Sequence, residues 1–463
     1  MVNESFLAQL RAREYGYLDE NKHVYLDHTG AGLPARRQLT AHTARITGNA
    51  YGNPHSENPT AAASDVLVAN ARQAILRHFN ADPREYAVVF TPNATGAIRL
   101  VGEAYPFAER NSLVLTADNH NSVNGLREYA ARSGNADTRY VPLDGPDLRI
   151  ADKTLDEVLA AGKGDNGGLF AFPAQSNFTG VQHPLAWIGH AQAQGYDVLL
   201  DAAAFVPTNP LNLSVVRPDF TAVSWYKVFG YPTGIGTLIA RREALKRLRR
   251  PWFSGGTIQV ASAAGGWHRL ADDETAFEDG TLDFLSIPDV EVGLDWIRSI
   301  GTDTVHDHVT GLTHHLLDGL RTLRHTNGQP MARIYGPPNT EGRGATVSLN
   351  LLDSQGDVID ERVVSRDSSA LGISLRTGCF CNPGVGEAAF SIGSSALRGL
   401  ELTRDGTVDD YLALLGLPSG GAVRVSVGLS SNRADVDAFL DFAADAYRDR
   451  VPVADGLKPR LRC

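Results

Sequence analysis

Ser224-Trp225-Tyr226-Lys227-Val228-Phe229-Gly230, followed at once by Tyr231-Pro232-Thr233-Gly234-Ile235-Gly236, is the stretch on which the fold turns. A lysine among aromatic and apolar residues is poorly solvated. Desolvation disfavours the ammonium form and leaves an amine able to act as a nucleophile near neutral pH. The lysines stand at 22, 153, 163, 227, 246 and 458, and only Lys227 is wedged between an apolar strand candidate and a Gly-rich turn. A lysine in an apolar segment can also simply snorkel to the surface. Upstream, Asp197-Val198-Leu199-Leu200-Asp201 reads as an apolar strand ending in a carboxylate. A carboxylate ahead of a nucleophilic lysine is what pyridoxal 5'-phosphate (PLP) requires: the acid keeps the pyridinium nitrogen protonated and the lysine forms the Schiff base.

At 463 residues the chain can bury a large core and suggests two or three domains. A net charge of -10, with no basic stretch interleaved with aromatics, argues against nucleic-acid binding. No apolar run approaches the ~18 residues of a membrane span, and Met1–Leu7 has neither the charged nor the apolar region of a signal peptide. Three cysteines, two of them nearly adjacent, do not make a disulfide framework, which points to a reducing, cytoplasmic setting.

Apolar strand candidates at 86–90, 112–116, 138–142, 168–172, 197–200, 220–224 and 236–240 alternate with helical or loop segments, and helical spacing runs from about 64 to 79. This is an α/β pattern, a mainly parallel mixed sheet covered by helices. Ligands in such sheets bind beyond the strand C-termini, where Asp201, the loop after Phe90 and Ser224–Lys227 all fall. Past about residue 300 the pattern changes: a helix near 304–324, a strand over 345–351, a helix near 357–371, strands at 374–376 and 423–428, and a helix near 433–449. The expected organisation is a large PLP-binding domain over 46–300, and a small α+β domain from 1–45 together with 301–463. The closing residues 456–463 read as a basic, frayed tail.

Thr91-Pro92-Asn93-Ala94-Thr95-Gly96-Ala97 lies between a strand and a helix, where small and hydroxyl residues can offer N–H groups and a hydroxyl to phosphate. An ordinary N-cap uses the same residue types. Ser224 offers a second hydroxyl, and Gly255-Gly256-Thr257, otherwise a plain turn, a third. His120 follows a strand and is placed to stack on a pyridine ring and shuttle protons, or to sit in a polar loop. Asn177 is placed to reach cofactor or substrate. In Arg376-Thr377-Gly378-Cys379-Phe380-Cys381-Asn382-Pro383, two cysteines sit in a Gly/Pro-bounded loop; a thiolate there, favoured by nearby arginine, can attack sulfur. Zinc would need about four ligands, and His306, His308, His314 and His315 lie on a polar helix and read as solvated, so no metal is expected. Arg424 projects from a strand and suits a substrate carboxylate.

With these residues assembled, the chain resembles the class V, fold-type I PLP-dependent transferases, and among them the N-terminal cysteine desulfurase domain of eukaryotic molybdenum cofactor sulfurases. The matching segments are Tyr25–Gly32, Tyr51–Ser56, Asp201–Leu211, Pro218–Phe220, Tyr226–Gly236, Phe277–Thr281 and Arg376–Asn382. The resemblance implies a cysteine desulfurase that takes sulfur from L-cysteine, leaves alanine and carries a persulfide on Cys381 for an acceptor protein. It implies Lys227 as the Schiff-base lysine, Asp201 at the pyridinium, His120 stacked on the ring, and Tyr226 and Asn177 beside the cofactor. Thr95 and Ser224 would hold phosphate, with Thr257 from the partner of a homodimer, and Asn93 and Gly96 would be among the cofactor-binding residues. Arg424, with Arg376, His28 and Asn177, would bind substrate. Departures are Tyr226, where desulfurases usually have histidine, and Ala204, where they have the glutamine that bonds the cofactor's phenolic oxygen. The eukaryotic sulfurases carry a further C-terminal domain, for which this sequence has no room, so sulfur delivery to molybdenum cofactor is not an expectation here. A PLP lyase, aminotransferase or epimerase on the same fold is the alternative.

Overall fold

The structure, a computed structural model, describes residues 4–460 except 165, 394, 396, 398–406, 418, 453 and 455. Its strands, in chain order, begin with β1 (Val24–Tyr25), β2 (Tyr86–Thr91), β3 (Ser112–Thr116), β4 (Asp137–Val141) and β5 (Gly168–Pro173). They continue with β6 (Tyr196–Asp201), β7 (Phe220–Ser224), β8 (Gly236–Arg241), β9 (Ile258–Ser262) and β10 (Trp267–Leu270). The last are β11 (Ala332–Tyr335), β12 (Thr346–Leu351), β13 (Ile373–Ser374), β14 (Arg376–Gly378) and β15 (Ala422–Ser426).

Seven strands form the main sheet in the order β2-β8-β7-β6-β5-β3-β4. β8 is antiparallel to both of its neighbours, and every other adjacent pair is parallel. All strands but β8 therefore run the same way, and Thr91, Thr116, Pro173, Asp201 and Ser224 end along one edge. Every residue of β6 is buried, and its side chains alternate between two cores: Val198 and Leu200 join one apolar cluster, Leu199 the other. β2 divides in the same way, with Val88 and Phe90 on one face and Ala87 and Val89 on the other. Both faces of the sheet are thus covered. Such strands read as continuous apolar runs, which is why they stand out in the sequence.

A second sheet, β11-β12-β15-β14, is antiparallel throughout. Helices Thr302–Thr322 and Arg433–Tyr447 pack together beside it. The N-terminal segment is stitched to this region: β1 pairs in parallel with β13, and Asp27 bridges Ser426.

The structure corrects several sequence readings. The β9–β10 hairpin, β11 and the helices Arg36–Gly48 and Pro288–Ile300 had no counterpart in them. The strand expected at 374–376 is two short strands in different sheets, β13 and β14. The tail is not frayed through Arg460: its guanidinium binds Glu361, Asp360 and Asp409, while 461–463 lie outside the described residues. The histidines of helix Thr302–Thr322 are not all solvated. His306 contacts Asn209, His308 the carbonyl of Ser431 and His315 Asp437; only His314 is exposed. Among the described residues no cluster of His, Cys, Asp or Glu is arranged to hold a metal, and no helix is long and apolar enough to cross a membrane.

Candidate active site

At the shared C-terminal edge of the sheet lies a cavity of about 360 Å³. Asp201 from β6, Ser224 from β7 and Lys227 from the helix Trp225–Phe229 line it, with Tyr226 beside them. His120 and Asn177, from the loops after β3 and β5, line it as well, as do Asn93 and Thr95. The geometry follows from the strand ends. Asp201 and Ser224 are the last residues of neighbouring parallel strands, so the short helix after β7 carries Lys227 over the edge.

Burial lowers the Lys227 pKa, with Asp201 opposing and Arg424 reinforcing that shift. Its Nζ makes no hydrogen bond among the described residues, so the amine is available. Asp201 is buried; its Oδ1 accepts from the Ala203 N–H at 3.0 Å, and Oδ2 has no donor among the described residues. Burial lowers the His120 pKa against the pull of Asp201, and the neutral ring accepts from Ser122 N–H at Nδ1. Burial raises the Tyr226 pKa, so the phenol stays protonated at neutral pH.

Asn93 caps helix Ala94–Ala104, its Oδ1 accepting the Gly96 N–H at 2.9 Å. Gly96 thus spends its N–H on the cap and does not line the cavity. Thr95 Oγ1 lies 2.7 Å from Ser122 Oγ, and Ser224 Oγ accepts from Ala94 N–H at 3.1 Å. Three hydroxyls therefore cluster at the start of an 11-residue helix, a suitable phosphate seat. Close packing forms this seat: a Cβ on Gly236, where β8 begins, would come 2.4 Å from the carbonyl carbon of Asn93.

Other residues that the resemblance assigns to the site stand outside the cavity. Arg424 is buried rather than a surface group; burial lowers its pKa. It donates to Asp27 at 2.9 Å and to the Asn177 carbonyl at 3.0 Å. Arg376 meets the other oxygen of Asp27 at 3.0 Å, so its charge is turned to that carboxylate. His28 lines a separate cavity of about 40 Å³ on another side of Lys227. Burial pushes its pKa down to about 4. Thr257 is fully buried and satisfied by Ser254, at 2.8 and 2.9 Å, away from this chain's cavity. Cys381 is a free thiol, half-buried. The Cys381 carbonyl accepts from Asn121 N–H at 2.7 Å, which holds the loop beside His120. Cys379 is disulfide-bonded, contrary to the reading of the cysteines as unpaired.

Sequence reasoning assigned no role to Ser122, Gln175 or Thr233, which also line the cavity. Gln175 stands close to Ala204 in both cavities. Its place two residues before Asn177, just past β5, was the available signal.

A desolvated lysine amine, a buried carboxylate with a free oxygen, a neutral imidazole and a hydroxyl-lined helix start around one cavity define a fold-type I PLP enzyme; these groups fit the cofactor's aldehyde, ring nitrogen, ring face and phosphate in turn. The chain belongs to the aminotransferase class-V family, whose model matches residues 24–439 and whose members depend on PLP. It is 38% identical over 470 residues to a molybdenum cofactor sulfurase of Solanum lycopersicum, covering 95% of this chain and 57% of that protein. It is 36% identical over 462 residues to the Bos taurus molybdenum cofactor sulfurase, covering 94% and 51%. The chain thus spans a little over half the length of these curated relatives. In fold it matches a cysteine desulfurase from Thermococcus onnurineus NA1, with TM-score 0.77, 21% identity and 95% and 97% coverage. It also matches the Escherichia coli cysteine desulfurase CsdA, with TM-score 0.74, 21% identity and 95% and 98% coverage.

Proposed function

We propose that this chain is a cysteine desulfurase that converts L-cysteine to L-alanine and takes the sulfur as a persulfide on Cys381. The observation that carries this reading is the free Cys381 thiol on a loop whose backbone is bonded to Asn121 and Asn177, the latter a wall residue of the Lys227 cavity. The overall step balances: the substrate's sulfur passes to the Cys381 thiol, giving S–SH, and a proton replaces it on the β-carbon. PLP, when bound, supplies the electron sink for the substrate's α-carbon.

The chain's own residues do the rest. Lys227, whose pKa burial lowers, would attach the cofactor and move a proton at the substrate's α-carbon. Asp201 would hold a proton at the ring nitrogen, and neutral His120 would face the ring. Thr95, Ser224 and the helix start that Asn93 caps seat the phosphate. Gln175, which shares both cavities with Ala204, would supply the amide for the cofactor's phenolic oxygen. Arg424, with Asn177, takes the substrate carboxylate; Arg376 and His28 flank it.

The chain further reads as a homodimer. Trp252, Phe253, Val260 and Trp267 expose an apolar surface on and beside the β9–β10 hairpin, the kind of patch that marks an interface. Thr257 lies in this region and would meet a partner's phosphate seat once its hydroxyl turns from Ser254. The proposed division into 46–300 and 1–45 with 301–463 is supported by the separation of the seven-stranded sheet from the four-stranded one. A cytoplasmic setting and a sulfur-acceptor protein complete the proposal.

The test uses purified, PLP-loaded protein given L-cysteine, with alanine and sulfide quantified for wild type and Cys381→Ala. Alanine formation that collapses in the variant is the expected result. Turnover indifferent to Cys381 would overturn the proposal in favour of elimination, transamination or racemisation of another amino acid.

A further inference from the structure

The residues assigned to the substrate carboxylate also hold the thiol loop. Phe380, between the two cysteines, buries its ring edge-on against Phe178, with centroids 4.9 Å apart. The Arg424 guanidinium lies over the same ring, 4.8 Å from its centroid. Asn177 Nδ2 donates to the Phe380 carbonyl at 2.8 Å, and the Asn177 carbonyl accepts from Arg424. Asn382 Nδ2 closes the loop by donating to Asn177 Oδ1 at 2.9 Å and to the Asp118 carbonyl at 2.7 Å.

The backbone needs such tethers. Phe380 and Cys381 both stand in the left-handed region, at φ 54° and 53°. Side-chain-bearing residues disfavour that region, so consecutive occupancy persists only where surrounding contacts impose it. Arg424 has spent donors on Asp27 and Asn177, but its Nε–H is buried with no acceptor. An unsatisfied buried donor of a charged fork, held over an aromatic face, is prepared for a carboxylate.

We propose that Phe380 is the positioning residue that couples the two halves of the reaction. Its ring is at once the platform that orients Arg424 for the amino-acid carboxylate and the anchor that holds the Cys381 loop against Asn177, a wall residue of the cavity. This rests on the roles proposed above for Arg424 and Cys381. The ring separates these tasks chemically. Anchoring needs only apolar bulk in the pocket by Phe178, whereas orienting Arg424 needs an aromatic face. Leucine at 380 keeps the first and loses the second; alanine loses both; tyrosine keeps both.

The experiment has two arms on the full-length, PLP-loaded protein. In the first, the rate of Cys381 alkylation by iodoacetamide without substrate is followed by peptide mass spectrometry, a readout that needs no turnover. Phe380→Ala should be alkylated at least ten times faster than wild type, and Phe380→Leu within about threefold of it. In the second, steady-state alanine formation should show KM for L-cysteine raised at least fivefold in Phe380→Leu, with kcat within twofold and Phe380→Tyr restoring KM. Unchanged alkylation in Phe380→Ala overturns the anchor. Wild-type KM in Phe380→Leu overturns the platform, and does so whether or not the alanine variant folds. If wild type forms no alanine, the desulfurase reading has failed, and the alkylation contrast still decides the anchor.

Discussion

Asp27 balances the charge of Arg424 and Arg376, and replacing it by asparagine tests that balance. Its two oxygens serve two arginines: Arg424 at 2.9 Å, with 4% of its side chain exposed, and Arg376 at 3.0 Å, with 52% exposed. The two contacts differ in worth. Removing one partner of a buried ion pair costs about 3–5 kcal/mol, because a charge is left uncompensated, whereas an exposed pair contributes about 0–1 kcal/mol. Asparagine retains one acceptor oxygen, so Asp27→Asn should sit near the lower bound, about 3 kcal/mol, nearly all of it through Arg424. Over 463 residues, an unfolding entropy of about 2.1 cal/mol/K per residue amounts to ~1 kcal/mol/K. The expected fall in Tm is therefore about 3 °C, measured by calorimetry on protein freed of PLP so that ligand binding does not contribute. Arg376→Ala should lower Tm by about 1 °C or less. Combining Asp27→Asn with Arg424→Met, which removes the stranded charge, should return at least half of the loss. An Asp27→Asn protein within 1 °C of wild type, or an Arg376→Ala protein as unstable as Asp27→Asn, would refute the assignment of Asp27 to the buried arginine.

Burial that holds His28 at about 4 instead of its ordinary 6.5 makes the folded state resist its protonation. That contribution is complete above pH 6.5 and is lost as pH falls towards 4, a gap of about 2.5 pH units at ~1.4 kcal/mol each, or about 3.5 kcal/mol; His28→Gln should flatten the pH dependence of the urea midpoint in this window. Glu278 is buried, pairs with Arg72 at 2.6 Å and accepts the Phe90 N–H at 2.7 Å. Glu278→Ala should therefore lower Tm by about 3 °C through the same loss of a buried partner. Gly236→Ala would drive a methyl into the Asn93 backbone, and should weaken PLP affinity at least tenfold in a fluorescence titration. Asp201→Asn should lower PLP affinity and abolish alanine formation while leaving Cys381 alkylation within twofold of wild type.

Legibility in the sequence follows the range of the interaction. The strands of the large sheet stand out because burial on both faces makes each a short, continuous apolar run, and Tyr196–Asp201 and Phe220–Ser224 carry their polar ends visibly. Lys227 is readable because its immediate neighbours are aromatic and apolar. Arg424 reads from sequence as a strand arginine; only the fold brings Asp27, 397 positions away, onto its guanidinium. Arg460 reads as part of a frayed tail for the same reason, since Glu361 stands 99 positions upstream. The Cys379–Cys381 loop lies between these cases. Its residue types announce sulfur chemistry, but its placement depends on Asn121 and Asn177, contributed by loops after two different strands of the large sheet. A local motif can therefore specify a reactive group, while its approach to the cavity is encoded in separate segments that need each other only after folding. Substitutions at Asn177 or Phe380, whose side chains hold the loop, should accordingly disturb the chemistry of Cys381 without touching the motif's cysteines.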